Sequence, residues 1–248
     1  MALQQQLAII PARRGSEGLP GKNWRLLGGH PLVVWSVAAA RAAGLEAWVI
    51  TDGDEIARAA TEAKARIIKE PPELAQGTVG DLAAARYALT RILGPQTYGL
   101  HKRRWERGQA WKRVAVVWLR PTSPFRPVAA IRNALKLLTD RVDSVRSITP
   151  ACCHPWKSYV LTVSGLQAGG THRWHNKPRQ LMPAAYRATG WIDCFWAQNV
   201  ARGTLDGQRI VPFLTPPTFA VDIDDEKGFL WADTMAHERQ WQPGKVIP

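Results

Sequence analysis

Short apolar runs alternate with helix-like segments through the first half of this chain, and no other feature limits the fold as strongly. The predicted strands are Leu7–Pro11, Ala47–Thr51, Arg66–Lys69 and Val114–Leu119. The predicted helices are Leu32–Ala43, Asp54–Ala65, Asp81–Leu93 and Pro127–Leu138. Strands and helices that alternate in this way form a mainly parallel sheet covered by helices on both faces. The sequence therefore predicts a three-layer α/β fold whose ligands bind at the carboxyl ends of the strands.

The alternation stops between Ser144 and about Thr189, where prolines and a Gly-Gly pair separate short strand-like pieces such as Ser158–Val163. We interpret 144–189 as a small element that leaves the main sheet, which is expected to resume at Gly190–Ala197. The main domain then comprises 1–143 and 190–248, with a last helix at Glu226–Gln240. The polar segment 94–113 is too long for an ordinary connection and is interpreted as an insertion in that domain.

Composition excludes several classes of protein. No apolar run is long enough to span a bilayer, and the first residues lack the pattern of a signal peptide, so we expect a cytoplasmic location and no membrane partner. The 3 cysteines lack the spacing of a disulfide framework or of a zinc site.

The net charge of +13 could indicate nucleic acid, an anionic surface or anionic small substrates. Six Lys and Arg residues lie between His101 and Arg113, which we interpret as a solvated basic loop. No recognised nucleic-acid-binding motif accompanies them, so nucleic acid is not an expected partner. A basic nucleic-acid-binding protein is the alternative from another functional class.

The loop Pro11–Asn23, with the sequence PARRGSEGLPGKN, directly follows the first predicted strand. Its three glycines let the backbone turn tightly and approach a ligand, while Arg13, Arg14 and Lys22 bring positive charge to the same loop. Backbone N–H groups together with such cations suit a triphosphate. The loop is not a Walker A motif, because five residues separate Gly15 from Gly21 and Asn23 follows the lysine.

A second motif, Val221–Asp225, would place Asp222 and Asp224 on the same face of a strand. Two neighbouring carboxylates repel each other unless a cation lies between them, and hard oxygen ligands suit Mg²⁺. Taken alone, the pair is also consistent with an exposed acidic turn or a helix cap. Two further motifs are the strand-to-turn segment Leu119–Arg126 and the basic Lys177–Gln180, where an arginine fork could bind a carboxylate.

In this order and spacing, the four segments closely resemble the acylneuraminate cytidylyltransferases. These are the CMP-sialic acid synthetases, with bacterial relatives that activate legionaminic and pseudaminic acids. The opening loop IIPARRGSEGLPGKN carries the most specific likeness, and it is supported in sequence order by Thr51–Gly53, Pro72–Ala75, Leu119–Arg126, His154–Lys157 and the AVDID segment. The resemblance covers residues 7 to 240 apart from the insertion.

This resemblance implies a nucleotidyltransferase fold and the transfer of CMP from CTP to a nine-carbon 2-keto sugar acid, with Mg²⁺ as cofactor and pyrophosphate as the second product. It also implies a homodimer in which the 144–189 element reaches the partner's active site. The residues that it assigns to CTP are Arg13, Arg14, Ser16, Lys22, Asn23 and Asp81, with Arg13 and Lys22 also catalytic. Those assigned to the sugar are Lys157, Arg179 and Gln180, and those assigned to Mg²⁺ are Asp222 and Asp224. No residue stands out as the general base.

Three positions depart from the pattern of this family. Glu70 stands where many relatives have arginine, Arg120 replaces the commoner glutamine, and Asp193 stands where an aromatic residue often contacts the sugar. The identity of the sugar therefore stays open, and an eight-carbon acceptor, as in the CMP-3-deoxy-manno-octulosonate synthetases, is the nearest alternative. Those enzymes usually carry Arg-Phe-Pro-Gly-Lys-Pro where this chain has Gly-Leu-Pro-Gly-Lys-Asn. A third alternative is an inactive relative that serves as a dimeric scaffold.

Overall fold

A central β-sheet with helices on both faces organises the fold. The computed structural model describes residues 5–15, 18–94, 114–169 and 172–247. The predicted CTP ligand Ser16 and the basic stretch 101–113 lie outside the described residues. The strands are β1 (Gln5–Pro11), β2 (Leu26–Leu27), β3 (His30–Pro31), β4 (Glu46–Thr51), β5 (Arg66–Lys69), β6 (Val114–Trp118), β7 (Ser144–Pro150), β8 (Tyr159–Thr162), β9 (Gly165–Ala168), β10 (Tyr186–Ala188), β11 (Asp193–Trp196) and β12 (Ile210–Leu214). The helices are α1 (Leu32–Ala42), α2 (Asp54–Glu62), α3 (Asp81–Leu93), α4 (Val128–Leu137), α5 (His172–His175), α6 (Ala197–Ala201) and α7 (Glu226–Glu238).

Across the described residues, the main sheet contains eight strands in the order β10-β7-β11-β6-β1-β4-β5, and β12 also pairs with β7. Strands β6, β1, β4 and β5 run parallel to one another, whereas β11 is antiparallel to both β6 and β7. The carboxyl ends of the four parallel strands therefore meet at one edge of the sheet. This arrangement confirms the predicted α/β fold with a mainly parallel sheet.

Strand β1 shows why the fold has three layers. Leu7 and Ile9 pack in one apolar cluster with the alanines of α3, while Ala8 and Ile10 pack in a second cluster with Trp35 of α1. Because successive side chains of a strand point to opposite faces, a strand that is apolar at every position has to be covered on both sides. The continuous apolar run of β1 is thus the direct cause of the two helical layers.

The predicted elements of the first half are all present, with ends that shift by at most a few residues. One difference concerns the element predicted at 144–189. Its first and last strands, β7 and β10, pair within the main sheet, so the part that stands apart from the sheet is 151–185. Polar residues conceal β7 in the sequence, because Ser144, Ser147 and Thr149 are buried beside Val145. The role of 144–189 in dimerisation stays a prediction.

No helix within the described ranges is both long enough and apolar enough to cross a membrane.

Candidate active site

A cavity of about 410 Å³ opens at the edge where the parallel strands end. It is lined by residues that follow β1, precede or open α3, and follow β6: Pro11, Arg13, Gly15, Lys22, Asn23, Val79, Gly80, Asp81, Arg120, Pro121 and Thr122. Four of the predicted site residues, Arg13, Lys22, Asn23 and Asp81, therefore border the same space, and most of its polar side chains are cationic or amide donors. Such a lining suits an anionic ligand.

Two glycines fix the path of the opening loop. Gly21 has a φ of 69°, and a side chain at this position would meet the indole of Trp24. At Gly18, an added Cβ would lie 2.3 Å from the backbone oxygen of Asp224, so only glycine allows the loop to approach the 221–225 segment this closely. Lys22 ties the two segments together, because its Nζ lies 3.1 Å from the backbone oxygen of Ile223 and 3.1 Å from Oδ1 of Asp224.

Arg13 is held along one edge of its guanidinium group. Nη1 donates to the carbonyl of Gln76 and Nη2 donates to the carbonyl of Val79, each at 2.7 Å. Its Nε lies 3.7 Å from Oε1 of Glu70. The buried Asn23 supports the same residue from behind by donating Nδ2 to the backbone oxygen of Arg13 at 2.7 Å.

Glu70 is a buried acid at the end of β5, with only 3% of its surface exposed. Within the described residues, neither carboxylate oxygen has a hydrogen-bond partner. Burial raises the pKa of Glu70 to about 7, an effect that the charge of Arg13 reduces and the charge of Asp52 increases. Sequence reasoning gave Glu70 no role, and the available signal was its departure from the arginine of many relatives.

Arg120 belongs to an ion-pair network on the opposite side of the cavity. Its guanidinium contacts Asp81 at 2.5 Å and Asp193 at 2.7 Å. Asp193 also pairs with Arg146 at 2.7 Å, and Arg146 pairs with Asp206. Two of the three positions that depart from the family pattern, Arg120 and Asp193, therefore compensate for each other. Their pairing was missed because 73 residues separate them in sequence.

The acidic pair Asp222 and Asp224 lies beside this cavity. The 221–225 segment is not a paired strand, but Val221 and Ile223 are buried while Asp222 and Asp224 are exposed, so the expected alternation holds. Loss of hydration raises the pKa of Asp222, and the charge of Asp224 raises it further, whereas a hydrogen bond with Thr122 lowers it. The two carboxylates are thus close enough to repel each other.

This donor set fits Mg²⁺, which commonly uses one or two carboxylates and completes its shell with water and substrate phosphates. Across the described ranges, no group of three or more His, Cys, Asp or Glu side chains could form a metal site without substrate. The pair is therefore better suited to a cation that arrives with a phosphate than to a permanently bound structural metal.

Other predicted ligands do not line the cavity. The backbone N–H of Arg14 donates to Asp52 at 2.6 Å, while its guanidinium lies 3.6 Å from Glu55 and over the ring of Trp24. The predicted sugar ligands are exposed on the 151–185 segment: Lys157, Arg179 and Gln180. Of these, Arg179 donates to the carbonyl of Ala151 at 2.9 Å.

Comparison with known proteins shows which of them this chain is similar to. A family model described as cytidylyltransferase matches residues 7–89. The chain is 28% identical over 231 residues to N-acylneuraminate cytidylyltransferase A of Danio rerio, which covers 88% of this chain and 47% of that protein. It is 32% identical over 152 residues to CMP-N,N'-diacetyllegionaminic acid synthase of Legionella pneumophila, with 60% of each chain covered. These matches make the chain similar to cytidylyltransferases.

This similarity agrees with the resemblance found in the sequence. The chain spans about half the length of the relatives that it matches. Among solved structures, it superposes on CMP:2-keto-3-deoxy-manno-octonic acid synthetase complexed with CTP with a TM-score of 0.65 and 12% identity, covering 95% of this chain and 99% of the other. It superposes on 4-diphosphocytidyl-2C-methyl-D-erythritol synthase with a TM-score of 0.61 and 11% identity over the same shares. At such low identity these likenesses establish the fold alone.

Proposed function

We propose that this protein transfers CMP from CTP to an acidic nine-carbon 2-keto sugar of the sialic-acid type and releases pyrophosphate. The observation that carries the proposal is the convergence of Arg13, Lys22 and the pair Asp222/Asp224 at one edge of the sheet, in a chain whose residues 7–89 match a cytidylyltransferase family model. The names of its relatives support a nonulosonic acid as the acceptor.

The reaction requires little covalent chemistry from the protein. A hydroxyl of the sugar attacks the α-phosphorus of CTP, a new P–O bond forms, and the bond to pyrophosphate breaks as the electron pair leaves with it. Negative charge grows on the transferred phosphoryl group and on the leaving group, so fixed cations stabilise the transition state. Arg13 and Lys22 are the cations of the opening loop that border the cavity, and they are assigned to this task.

We assign Asp222 and Asp224 to Mg²⁺. When bound with CTP, the ion would neutralise phosphate charge and orient the phosphate groups. In the structure the ammonium group of Lys22 lies beside Asp224, so a bound phosphate would compete with this carboxylate for the same cation. This exchange couples the position of Lys22 to occupancy of the nucleotide site.

We also propose a homodimer formed through the 151–185 segment. The hairpin of β8 and β9 exposes a row of apolar side chains, with Leu161 78% and Leu166 68% exposed. Apolar residues grouped at the tip of a projecting hairpin are costly in water and indicate a protein partner. A second copy of this chain fits the resemblance, which places this element in the partner's active site. On the sequence grounds given above, we propose a cytoplasmic location.

The dimer is tested by replacing both hairpin leucines with serine and measuring the molecular mass by sedimentation. We expect the variant to shift to the mass of a monomer, because the apolar contact is lost. Leu230→Ser is the matched control, since Leu230 is comparably exposed on α7. A wild-type chain that already sediments as a monomer would contradict the proposal.

The activity is tested by pyrophosphate release from CTP and Mg²⁺ with sialic, deaminated sialic, legionaminic, pseudaminic and octulosonic acids. Release with a nine-carbon acid is expected. Release with octulosonic acid alone would favour the eight-carbon alternative. A folded protein that binds CTP but releases no pyrophosphate with any acid would contradict the activity and favour a scaffold. Salt-dependent binding of nucleic acid without turnover would support the alternative class.

A further inference from the structure

Glu70 lies in surroundings that are energetically unfavourable for an ionised carboxylate. Its backbone is anchored at the end of β5, where its N–H donates to the carbonyl of Thr51 at 2.8 Å, so its side chain starts from a rigid point. A buried acid without hydrogen-bond donors destabilises a folded protein, whereas a neutral side chain of the same shape would not carry that penalty. Residues that destabilise the fold in this way are concentrated at functional sites, so Glu70 is a candidate for a functional role.

The neighbouring cation is Arg13, and its five N–H groups can be accounted for one by one. One on Nη1 binds the carbonyl of Gln76, one on Nη2 binds the carbonyl of Val79, and that on Nε faces Glu70. Within the described ranges, the second N–H on each terminal nitrogen has no assigned hydrogen-bond partner. Because Arg13 borders the cavity, these two remaining groups are the ones available to a phosphate.

We propose that Glu70 is a positioning residue that holds the Arg13 guanidinium in the orientation in which it binds the phosphates of CTP. The two carbonyl groups fix the guanidinium by direct hydrogen bonds but carry no net charge. Glu70 supplies the negative charge that opposes withdrawal of Arg13 toward solvent or toward other acids. The inference rests on the proposed function, because it takes CTP as the ligand.

The charged surroundings of Glu70 define when this role operates. Arg13 approaches from the loop after β1, and Asp52 lies at the end of β4. On the α3 side the hydroxyl of Tyr87 donates to the backbone oxygen of Lys69, next to Glu70, and not to the carboxylate. Glu73, farther along the same loop, is exposed. Among the described residues, Arg13 is the cation whose charge acts on Glu70, so protonation of Glu70 removes the negative charge that faces Arg13.

The experiment compares wild type with Glu70→Gln, which keeps the shape and removes the charge, between pH 6 and pH 8.5. At pH 8 we expect kcat/KM for CTP to fall by about tenfold to 100-fold, the effect of a misplaced reacting group. The ratio of wild-type to variant kcat/KM should decline toward one near pH 6, since wild-type Glu70 is then protonated as well. Titration of CTP and Mg²⁺ affects both proteins equally and cancels in this ratio.

Three further variants make the result specific. Glu73→Gln removes an exposed charge from the same loop and should match wild type at every pH. Glu70→Asp retains the charge and should recover part of the activity lost in Glu70→Gln. In an Arg13→Ala background, Glu70→Gln should cause no further loss, because a residue that acts through Arg13 has no effect without it.

The inference would be overturned if the ratio of wild-type to Glu70→Gln kcat/KM were the same at all pH values. It would also be overturned if the loss of kcat/KM in the double variant equalled the product of the losses in Glu70→Gln and Arg13→Ala. Urea unfolding of each variant establishes that the protein is folded. If no sugar acid supports turnover in wild type, the proposed activity fails and the Kd for CTP replaces kcat/KM. Weaker CTP binding by Glu70→Gln at pH 8 but not at pH 6 would then support the inference, and equal Kd values would overturn it.

Discussion

The two sides of the cavity each contain a buried acid, and the two acids differ in whether they accept hydrogen bonds. Asp193, 2% exposed, accepts hydrogen bonds from Arg120, from Arg146 and from the backbone and hydroxyl of Ser147. Glu70 is buried to a similar extent, but its charged neighbour Arg13 lies at 3.7 Å and does not form a hydrogen bond with it. Burial alone therefore does not distinguish an acid that stabilises the fold from one that is retained for its effect on a ligand site.

The number of donors explains the difference. A buried carboxylate that is fully paired becomes destabilising only when a partner is removed, because the remaining charge is then left uncompensated. A buried carboxylate without donors already destabilises the ionised form of the protein, and removal of its charge relieves that penalty. The two acids should therefore respond to the same chemical change, from carboxylate to amide, with opposite signs.

The largest expected effect is that of Asp193→Asn. This change leaves Arg120 and Arg146 beside a neutral amide, and loss of one partner in a buried ion pair typically costs about 3–5 kcal/mol. We expect the free energy of unfolding, measured by urea denaturation at pH 7, to fall by about that amount. Asp206→Asn is the control, because in the described part of the chain Asp206 forms an ion pair with Arg146 alone and is more exposed, so the loss of stability should be much smaller. A similar loss of unfolding free energy in both variants would mean that the buried pairing of Asp193 does not contribute more to stability than the exposed pairing of Asp206.

On the other side of the cleft, Arg13→Ala should lower kcat/KM by about 100-fold to 1000-fold, the usual effect of losing one donor to a developing negative charge. The fold should be retained, because Arg13 contacts carbonyls of an exposed loop and Glu70 can take up a proton when its cation is gone. Arg41→Ala is the control, since Arg41 is exposed on α1 and hydrogen-bonds the carbonyl of Lys64. Near-normal turnover by Arg13→Ala would remove Arg13 from the reaction.

Glu70→Gln should raise the free energy of unfolding, which is the reverse of the Asp193 result. The pKa of Glu70 is raised from its ordinary value of 4.5 to about 7. Stability linked to this group is therefore fully present below about pH 4.5 and is lost as pH rises through 7. At 1.36 kcal/mol for each pH unit between the two values, the loss in wild type approaches about 3 kcal/mol.

The variant should consequently be more stable than wild type by up to about 3 kcal/mol at pH 8 and no more stable at pH 4.5. Urea denaturation at several pH values measures this difference directly. A variant that is less stable than wild type at pH 8 would mean that Glu70 is paired in solution, and the contrast with Asp193 would disappear.

The smallest effect concerns Asp222 and Asp224, the exposed acidic pair beside the cavity. Asp222→Asn should raise the Mg²⁺ concentration needed for half-maximal activity by at least about tenfold, since even residues that only support metal ligands contribute 10- to 100-fold. Asp225→Asn is the matched control on the same segment. Asp225 caps α7 by accepting from the N–H of Gly228 at 2.7 Å, and asparagine caps a helix about as well as aspartate, so its replacement should change neither the stability nor the Mg²⁺ titration appreciably. An unchanged titration for Asp222→Asn would exclude it as a ligand.

Much of the fold could be predicted from sequence because its signals are local. Apolar runs, helix periodicity and turn residues are each contained within a few neighbouring positions, as in β1 and the opening loop that follows it. Strand β7 was missed as part of the main sheet because the hydrogen-bond partners of its buried Ser147 are Asp193 of β11 and Ile192 just before it, more than 40 positions away in the sequence. Its polar side chains are satisfied only in the folded protein.

The same reasoning applies to the site. The grouping of Arg13, Lys22, Asp222 and Asp224 at one edge of the sheet could be predicted because the resemblance is carried by contiguous motifs, whereas their roles stay predictions. The state of Glu70 depends on which groups the fold leaves out of reach, and no sequence pattern records a missing donor. The pairing of Arg120 with Asp193 depends on the antiparallel register of β11 against β6, in which Asp193 lies opposite Trp118.

The compensation between Arg120 and Asp193 has a historical consequence. If an ancestor carried the uncharged residues that are commoner at these positions, either charge could have entered first only beside a partner that was already present, Asp81 for Arg120 or Arg146 for Asp193. Arg146, which also contacts Asp193, offers a route: an aspartate that arose beside an existing arginine would have been tolerated and would then have favoured a second arginine. Once Arg120, Arg146 and Asp193 were all present, replacing any one of them by an uncharged residue would leave a partner unpaired. The lineage would therefore retain this pattern of charges beside the cavity.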